Sequence, residues 1–106
     1  MKWVILTLLV GCQREVQPAS TDDPAYARDV DRICNVVERS GAAGMELAER
    51  TYLTATWLGS NLESPAGRAL LAGIQPLDDA NKARALELEA TRIGVTSCPL
   101  VGELRR

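Results

Sequence analysis

The chain has 106 residues, 46% hydrophobic and 25% charged, a composition that fits one globular domain and excludes a disordered chain. Its twelve Lys and Arg are interspersed among fourteen Asp and Glu for a formal net charge of -2, so there is no clustered basic face to bind nucleic acid. Histidine is absent, which removes the commonest general base and with it Ser-His and Cys-His nucleophile activation.

In chain order, Lys2 is followed by the apolar run WVILTLLV, Trp3 to Val10. Eight residues are too few to span a bilayer, which takes about 20 as a helix. They suit the hydrophobic region of a secretory signal, which takes about 7 to 15. The run ends in Leu9-Val10-Gly11-Cys12. This tetrapeptide resembles the lipobox of bacterial lipoproteins: an aliphatic residue, a small or branched one, Gly or Ala, then Cys. The resemblance implies diacylglyceryl transfer to the Cys12 thiol and cleavage between Gly11 and Cys12, usually followed by acylation of the new amino group. By the same resemblance residues 1-11 are a signal peptide. Gln13 stands where Asp would signal retention in the inner membrane, which implies an outer-membrane lipoprotein facing the periplasm. Acyl chains contribute about 0.8 kcal/mol per buried methylene, and two or more chains make a stable membrane anchor.

Lipidation of Cys12 also accounts for an odd cysteine count. Cys34 and Cys98 remain, and in an oxidising compartment two cysteines allow one intramolecular pair. No C-x-x-C motif is present, and no clustered set of ligands suits zinc. After Cys12, the stretch from Gln13 to Asp23 is polar and without periodicity, so residues 12-23 read as a tether. Its eleven residues after the cysteine have an r.m.s. span of roughly 17 to 20 Å as a flexible coil. Residues 24-106 then form the folded domain.

Asp23-Pro24 predicts a helix start, with a carboxylate to cap free amides and Pro where its missing N-H costs nothing. Tyr26, Val30, Ile33 and Val37 recur at spacings of four, three and four, with Cys34 on or near that buried face. Arg28, Asp29, Asp31, Arg32 and Glu38 are assigned to the opposite, solvated side, and Gly41 to the helix end. The SGAAG segment, Ser40 to Gly44, has no preceding strand and no Lys-Ser or Lys-Thr ending, so it reads as a loop and not a phosphate cradle. A second helix is predicted from about Met45 to Ser60. Leu47, Thr51, Thr54 and Leu58 make one stripe, Met45, Ala48, Tyr52 and Ala55 its neighbour, and Glu46 and Arg50 are spaced as a surface pair.

Ser64 and Pro65 open a third helix whose Ala66, Ala69, Leu70 and Ile74 face inward, with Pro76 closing it. Asp78 and Asp79 open a fourth, both favourable at the positive end of its dipole. Its core stripe is Ala83, Leu86, Ala90 and Ile93, its surface pairs are Arg84 with Glu87 and Glu89 with Arg92, and Gly94-Val95 is its left-handed cap. The tail TSCPLVGELRR carries Cys98 back to the first helix. The sequence therefore predicts an all-α fold, a small bundle of three to four short helices stapled by one disulfide between Cys34 and Cys98.

The paired carboxylates Asp22-Asp23, Asp29/Asp31 and Asp78-Asp79 each read as caps or solvated faces, and calcium-loop spacing is not matched. No cofactor, no metal and no enzymatic activity are expected. The candidate binding patch is Tyr52, Leu53 and Trp57, which form either an apolar groove or part of the core. Two functions fit: a lipid-anchored envelope protein that binds another protein as adaptor, chaperone or inhibitor, or a module that binds a small ligand or lipid. A closed apolar pocket lined by Leu53, Trp57, Leu86 and Ile93 would favour the second; an exposed apolar patch on a packed core would favour the first.

Overall fold

Asp23 begins the first helix as its side chain requires, accepting the Ala25 N-H at 2.9 Å with Pro24 in the first turn. The computed structural model describes residues 20–106; the signal segment, Cys12 and most of the tether lie outside the described residues. Within them the order is α1 (Pro24–Cys34), α2 (Val36–Arg39), α3 (Leu47–Asn61), α4 (Pro65–Ile74), α5 (Asp79–Ile93) and α6 (Pro99–Leu104), with no strand among the described residues. The all-α fold and the Cys34–Cys98 disulfide are as expected. The four longer helices fall at the four predicted positions, and α2 and α6 are additional short ones.

Both additions have local causes. The first helix was expected to run on to Gly41, but it breaks at Asn35, whose side-chain amide donates to the Asp31 carbonyl at 2.9 Å and to the Asp31 carboxylate at 3.1 Å. A short polar side chain bound to the preceding turn competes with helix continuation. Here it redirects the chain so that α2 buries Val36. Gly41 then adopts φ 78, which glycine tolerates without steric cost. At the other end, Pro99 turns the predicted tail into α6, which packs against α5 and α1 and buries Val101.

The core is drawn from all six helices. Tyr26, Val30, Ile33 and Cys34 of α1 join Ala83, Leu86 and Ala90 of α5, with Leu58, Leu62, Ala66 and Val101 closing the cluster. Gly94 at φ 86 caps α5, and the Val95 N-H returns to the Ala90 carbonyl at 2.8 Å, as the sequence predicts. The Glu89–Arg92 pair forms at 2.6 Å. Glu89 also accepts the Tyr26 hydroxyl at 2.5 Å, which ties α5 to α1. Burial, and then the adjacent Glu89 carboxylate, push the Tyr26 phenol well above its usual range. The expected Arg84–Glu87 and Glu46–Arg50 pairs do not form. Glu87 instead binds Arg105 beyond α6 at 3.0 Å, because the chain's return brings a better-placed guanidinium.

The largest correction is Asp29, assigned from the sequence to the solvated side and in fact fully buried. Its carboxylate accepts the Glu63 N-H at 2.9 Å and the Ser64 N-H and Ser64 hydroxyl, each at 2.7 Å; Arg32 donates to it at 2.8 Å. Ser64 in turn accepts the Gly67 N-H at 2.9 Å as the cap of α4. A carboxylate from α1 is thereby fixed at the positive end of α4. Gly67 is part of the arrangement, because a Cβ there would overlap the Asp29 carboxylate. That is why Gly67 is buried while Ala69, expected to face inward, is exposed. Burial raises the Asp29 pKa, but the Ser64 hydroxyl, the two backbone amides and Arg32 together outweigh it and hold the group below the usual carboxylate range.

The disulfide and the carboxylate make separate predictions. Cys34 and Cys98 lie 64 residues apart in sequence with Cα atoms 4.4 Å apart, so the crosslink removes about 4 kcal/mol of loop entropy from the unfolded chain. Reduction, or Cys98→Ala, should therefore lower Tm by well over about ten degrees in a thermal melt, at about 4 to 8 degrees per kcal/mol. Unchanged melting would remove the disulfide from the stability of the fold. Asp29→Ala should cost about 3 kcal/mol or more, because the buried amides of Glu63 and Ser64 lose their acceptor. With its folded pKa depressed, Asp29 contributes stability above the unfolded carboxylate pKa and loses it as pH falls through the folded value. The Tm of the wild-type protein should accordingly fall more steeply than that of Asp29→Asn as pH is lowered from about 5 toward 2.

Candidate functional site

The third helix is the least covered element of the fold. Of its fifteen residues only Leu58 is buried. Glu46 precedes it in extended conformation without a side-chain cap, and its contacts are to α1 and α2. The predicted stripe of Leu47, Thr51, Thr54 and Leu58 lies on one side of α3, as expected, but only its C-terminal end enters the core. Leu47 is 70% exposed.

That stripe forms one wall of a groove of about 290 Å³, half open to solvent. Ile33, Val36 and Val37 contribute the floor, Leu71 and Ile74 of α4 a second wall, and Leu100 and Leu104 of α6 a third. The threonines do not make this wall polar in effect. Thr51 donates to the Leu47 carbonyl at 2.8 Å and Thr54 to the Thr51 carbonyl at 3.1 Å, so both hydroxyls are satisfied by their own helix. The polar lining comes from Arg50, Gln75, Asp79, Lys82 and Glu103. Glu103 is engaged by Arg106 at 3.3 Å, and Asp79 sits in the first turn of α5.

Around the helix from this groove, Tyr52 is 69% and Met45 37% exposed, and with Ala48, Glu49 and Leu53 they line a shallow apolar depression. The candidate patch of Tyr52, Leu53 and Trp57 is thus divided. Tyr52 is exposed on the outer surface, whereas Leu53 and Trp57, four residues apart on one face of the helix, are both half-buried, and Trp57 packs against the core.

The pocket envisaged between Leu53, Trp57, Leu86 and Ile93 gives way to the groove, because Leu86 is fully buried within the core and Leu53 lines the separate depression beside Tyr52. Sequence reasoning missed the groove because it looked for an opening beside Leu53 and Trp57, whereas the Leu47 stripe faces walls from α4 and α6 that the sequence alone does not place. The available signal was the stripe itself: two of its four positions are threonine, where a buried helix face ordinarily carries larger aliphatic residues. Among the described residues no three His, Cys, Asp or Glu side chains cluster to hold a metal, and no helix is long and apolar enough to cross a membrane. No protein-family model, no curated protein and no solved structure matches the chain.

An apolar side chain that is exposed contributes little to folding. Leu47→Ser and Tyr52→Ser should each change stability by no more than about 0.5 kcal/mol, whereas Leu58→Ala, at the buried end of the same helix, should cost about 2 to 4 kcal/mol. Urea titration of the three variants checks the contrast. A large loss for Leu47→Ser would mean that the N-terminal half of α3 is packed.

Proposed function

We propose that the chain is a lipid-anchored envelope protein, attached through Cys12, whose helical domain binds another envelope protein without catalysing a reaction. The observation that carries the binding half of this reading is the apolar surface of α3, with Leu47 70% and Tyr52 69% exposed beside a half-open groove. Large apolar side chains grouped on one element and rimmed by charge mark interaction sites in soluble domains. The anchoring half rests on the resemblance of Leu9-Val10-Gly11-Cys12 to a lipobox. The two fit together: a tether of roughly 17 to 20 Å would hold such a surface within reach of other envelope proteins, in the role of adaptor, chaperone or inhibitor.

A small-ligand or lipid-binding function is the second reading, favoured by the groove's volume of about 290 Å³. Ligand pockets typically enclose most of the ligand's surface, and this groove is half open, so the protein-binding reading comes first.

Two measurements in the expressing bacterium test the proposal. Cys12→Ser should abolish labelling by a radioactive fatty acid and leave the precursor unprocessed, and a processed, membrane-bound Cys12→Ser protein would refute the anchor. A photo-crosslinking residue at position 52 should give one discrete crosslinked envelope protein, with none from position 84 on the exposed side of α5. Equal crosslinking at both positions, or none at 52, would refute partner binding through α3.

A further inference from the structure

The charges of the folded domain are mostly spoken for. Arg28, Arg32, Arg39, Arg92, Arg105 and Arg106 each have a carboxylate oxygen within 3.3 Å. Arg68 donates to the Leu62 carbonyl at 3.1 Å, and Arg84 is exposed to solvent. Two cations remain, Arg50 and Lys82. Both are half-buried, neither has a carboxylate within ion-pair distance among the described residues, and both line the same groove, one from α3 and the other from α5. Arginine and lysine lay their stems along apolar surface and hold the charged head at its edge, so two cations without a carboxylate partner beside one apolar groove make its rim complementary to an anionic partner. The acids of the lining do not meet that need: Glu103 is engaged by Arg106, and Asp79 is exposed at the positive end of its own helix.

We propose that the groove binds an acidic amphipathic helix of a protein partner, its apolar stripe on Val37, Leu47, Leu71, Leu100 and Leu104 and its flanking carboxylates on Arg50 and Lys82. The inference rests on the protein-binding reading and names the chemistry of the partner. A helix fits better than an acyl chain for two reasons. The groove is half open, where an acyl chain gains most from enclosure, and the apolar surface continues along α3 to Leu47 at its start. Helix-in-groove recognition uses anchors at i, i+3 or i+4, and i+7, and carboxylates beside that stripe would select among amphipathic helices by charge.

The test uses protein purified as the cell processes it, disulfide intact, and two fluorescent helical peptides with the same leucine stripe, one flanked by Glu and one by Lys. Fluorescence anisotropy should show the Glu peptide binding about tenfold more tightly, the ratio expected when two ion pairs contribute at the upper end of the surface range. Arg50→Glu combined with Lys82→Glu should reverse the order of the two peptides, and the single Arg50→Gln and Lys82→Gln variants should each narrow the gap; an unchanged circular dichroism melt verifies the fold. Equal binding of the two peptides, or an order that survives charge reversal, overturns the inference. So does saturable binding of oleate with no binding of either peptide, which would assign the groove to lipid. The peptide experiment is independent of crosslinking at position 52: a negative result in the first with a positive result in the second removes the acidic helix and keeps the partner.

Discussion

A single buried carboxylate holds the geometry on which the rest of this domain depends. Asp29 receives two backbone amides, a hydroxyl and a guanidinium, all from 2.7 to 2.9 Å at the closest approach. Three of these donors come from the junction between α3 and α4, more than thirty residues away. The junction is a place where backbone groups would otherwise be left unpaired, since the first amides of a helix have no partner within it. A charge in that position is costly to desolvate and is tolerable only when every direction around it is occupied by a donor. The requirement explains several neighbours at once: Ser64 as both donor and cap, Gly67 as the one residue without a side chain to collide, and Arg32 reaching across to Glu63 at 3.0 Å.

From that fixed point the arrangement of the binding surface follows. With α1 fastened to the start of α4, the C-terminal end of α3 is drawn into the core at Leu58 and Leu62, while its N-terminal end extends past the packed region. The Cys34–Cys98 bond then sets the opposite wall, because Cys98 is the residue before α6, and α6 supplies Leu100 and Leu104 to the groove. The groove is therefore the space left between one helix pinned at a single end and another held by a covalent bond. Its walls come from elements anchored independently, while its floor of Ile33 and Val36 belongs to the core.

The same economy appears in the charges. Ion pairs at Arg28–Glu63, Arg39–Asp31 and Arg105–Glu87 lie in solvent and contribute little individually. Their effect on recognition is by subtraction, since they occupy most of the available cations and leave Arg50 and Lys82 as the half-buried positive groups beside apolar surface.

What the sequence determined by itself was whatever depends on neighbours within a few residues. The starts of α1, α4 and α5 were legible because Asp23, Ser64 and Asp78 cap amides two or three positions ahead, and the end of α5 because Gly94 takes the left-handed conformation. The apolar stripe of α1 was legible from its period, and the pairing of Cys34 with Cys98 from counting the cysteines that remain once Cys12 is assigned to lipid. The tertiary structure alone decided which polar residue would be buried, where a stripe would stop being core, and which cations would find partners. Asp29 sits in sequence among charged residues, with Arg32 one turn on, and it is the arrival of Glu63 and Ser64 that gives it backbone and hydroxyl donors. Leu47 and Leu58 share a stripe, but the surfaces that cover one and not the other belong to α1 and α2. Local chemistry fixes caps and periodicity because its interactions close within one or two turns; burial and charge pairing are settled by segments distant in the chain, whose positions exist only once the domain has folded.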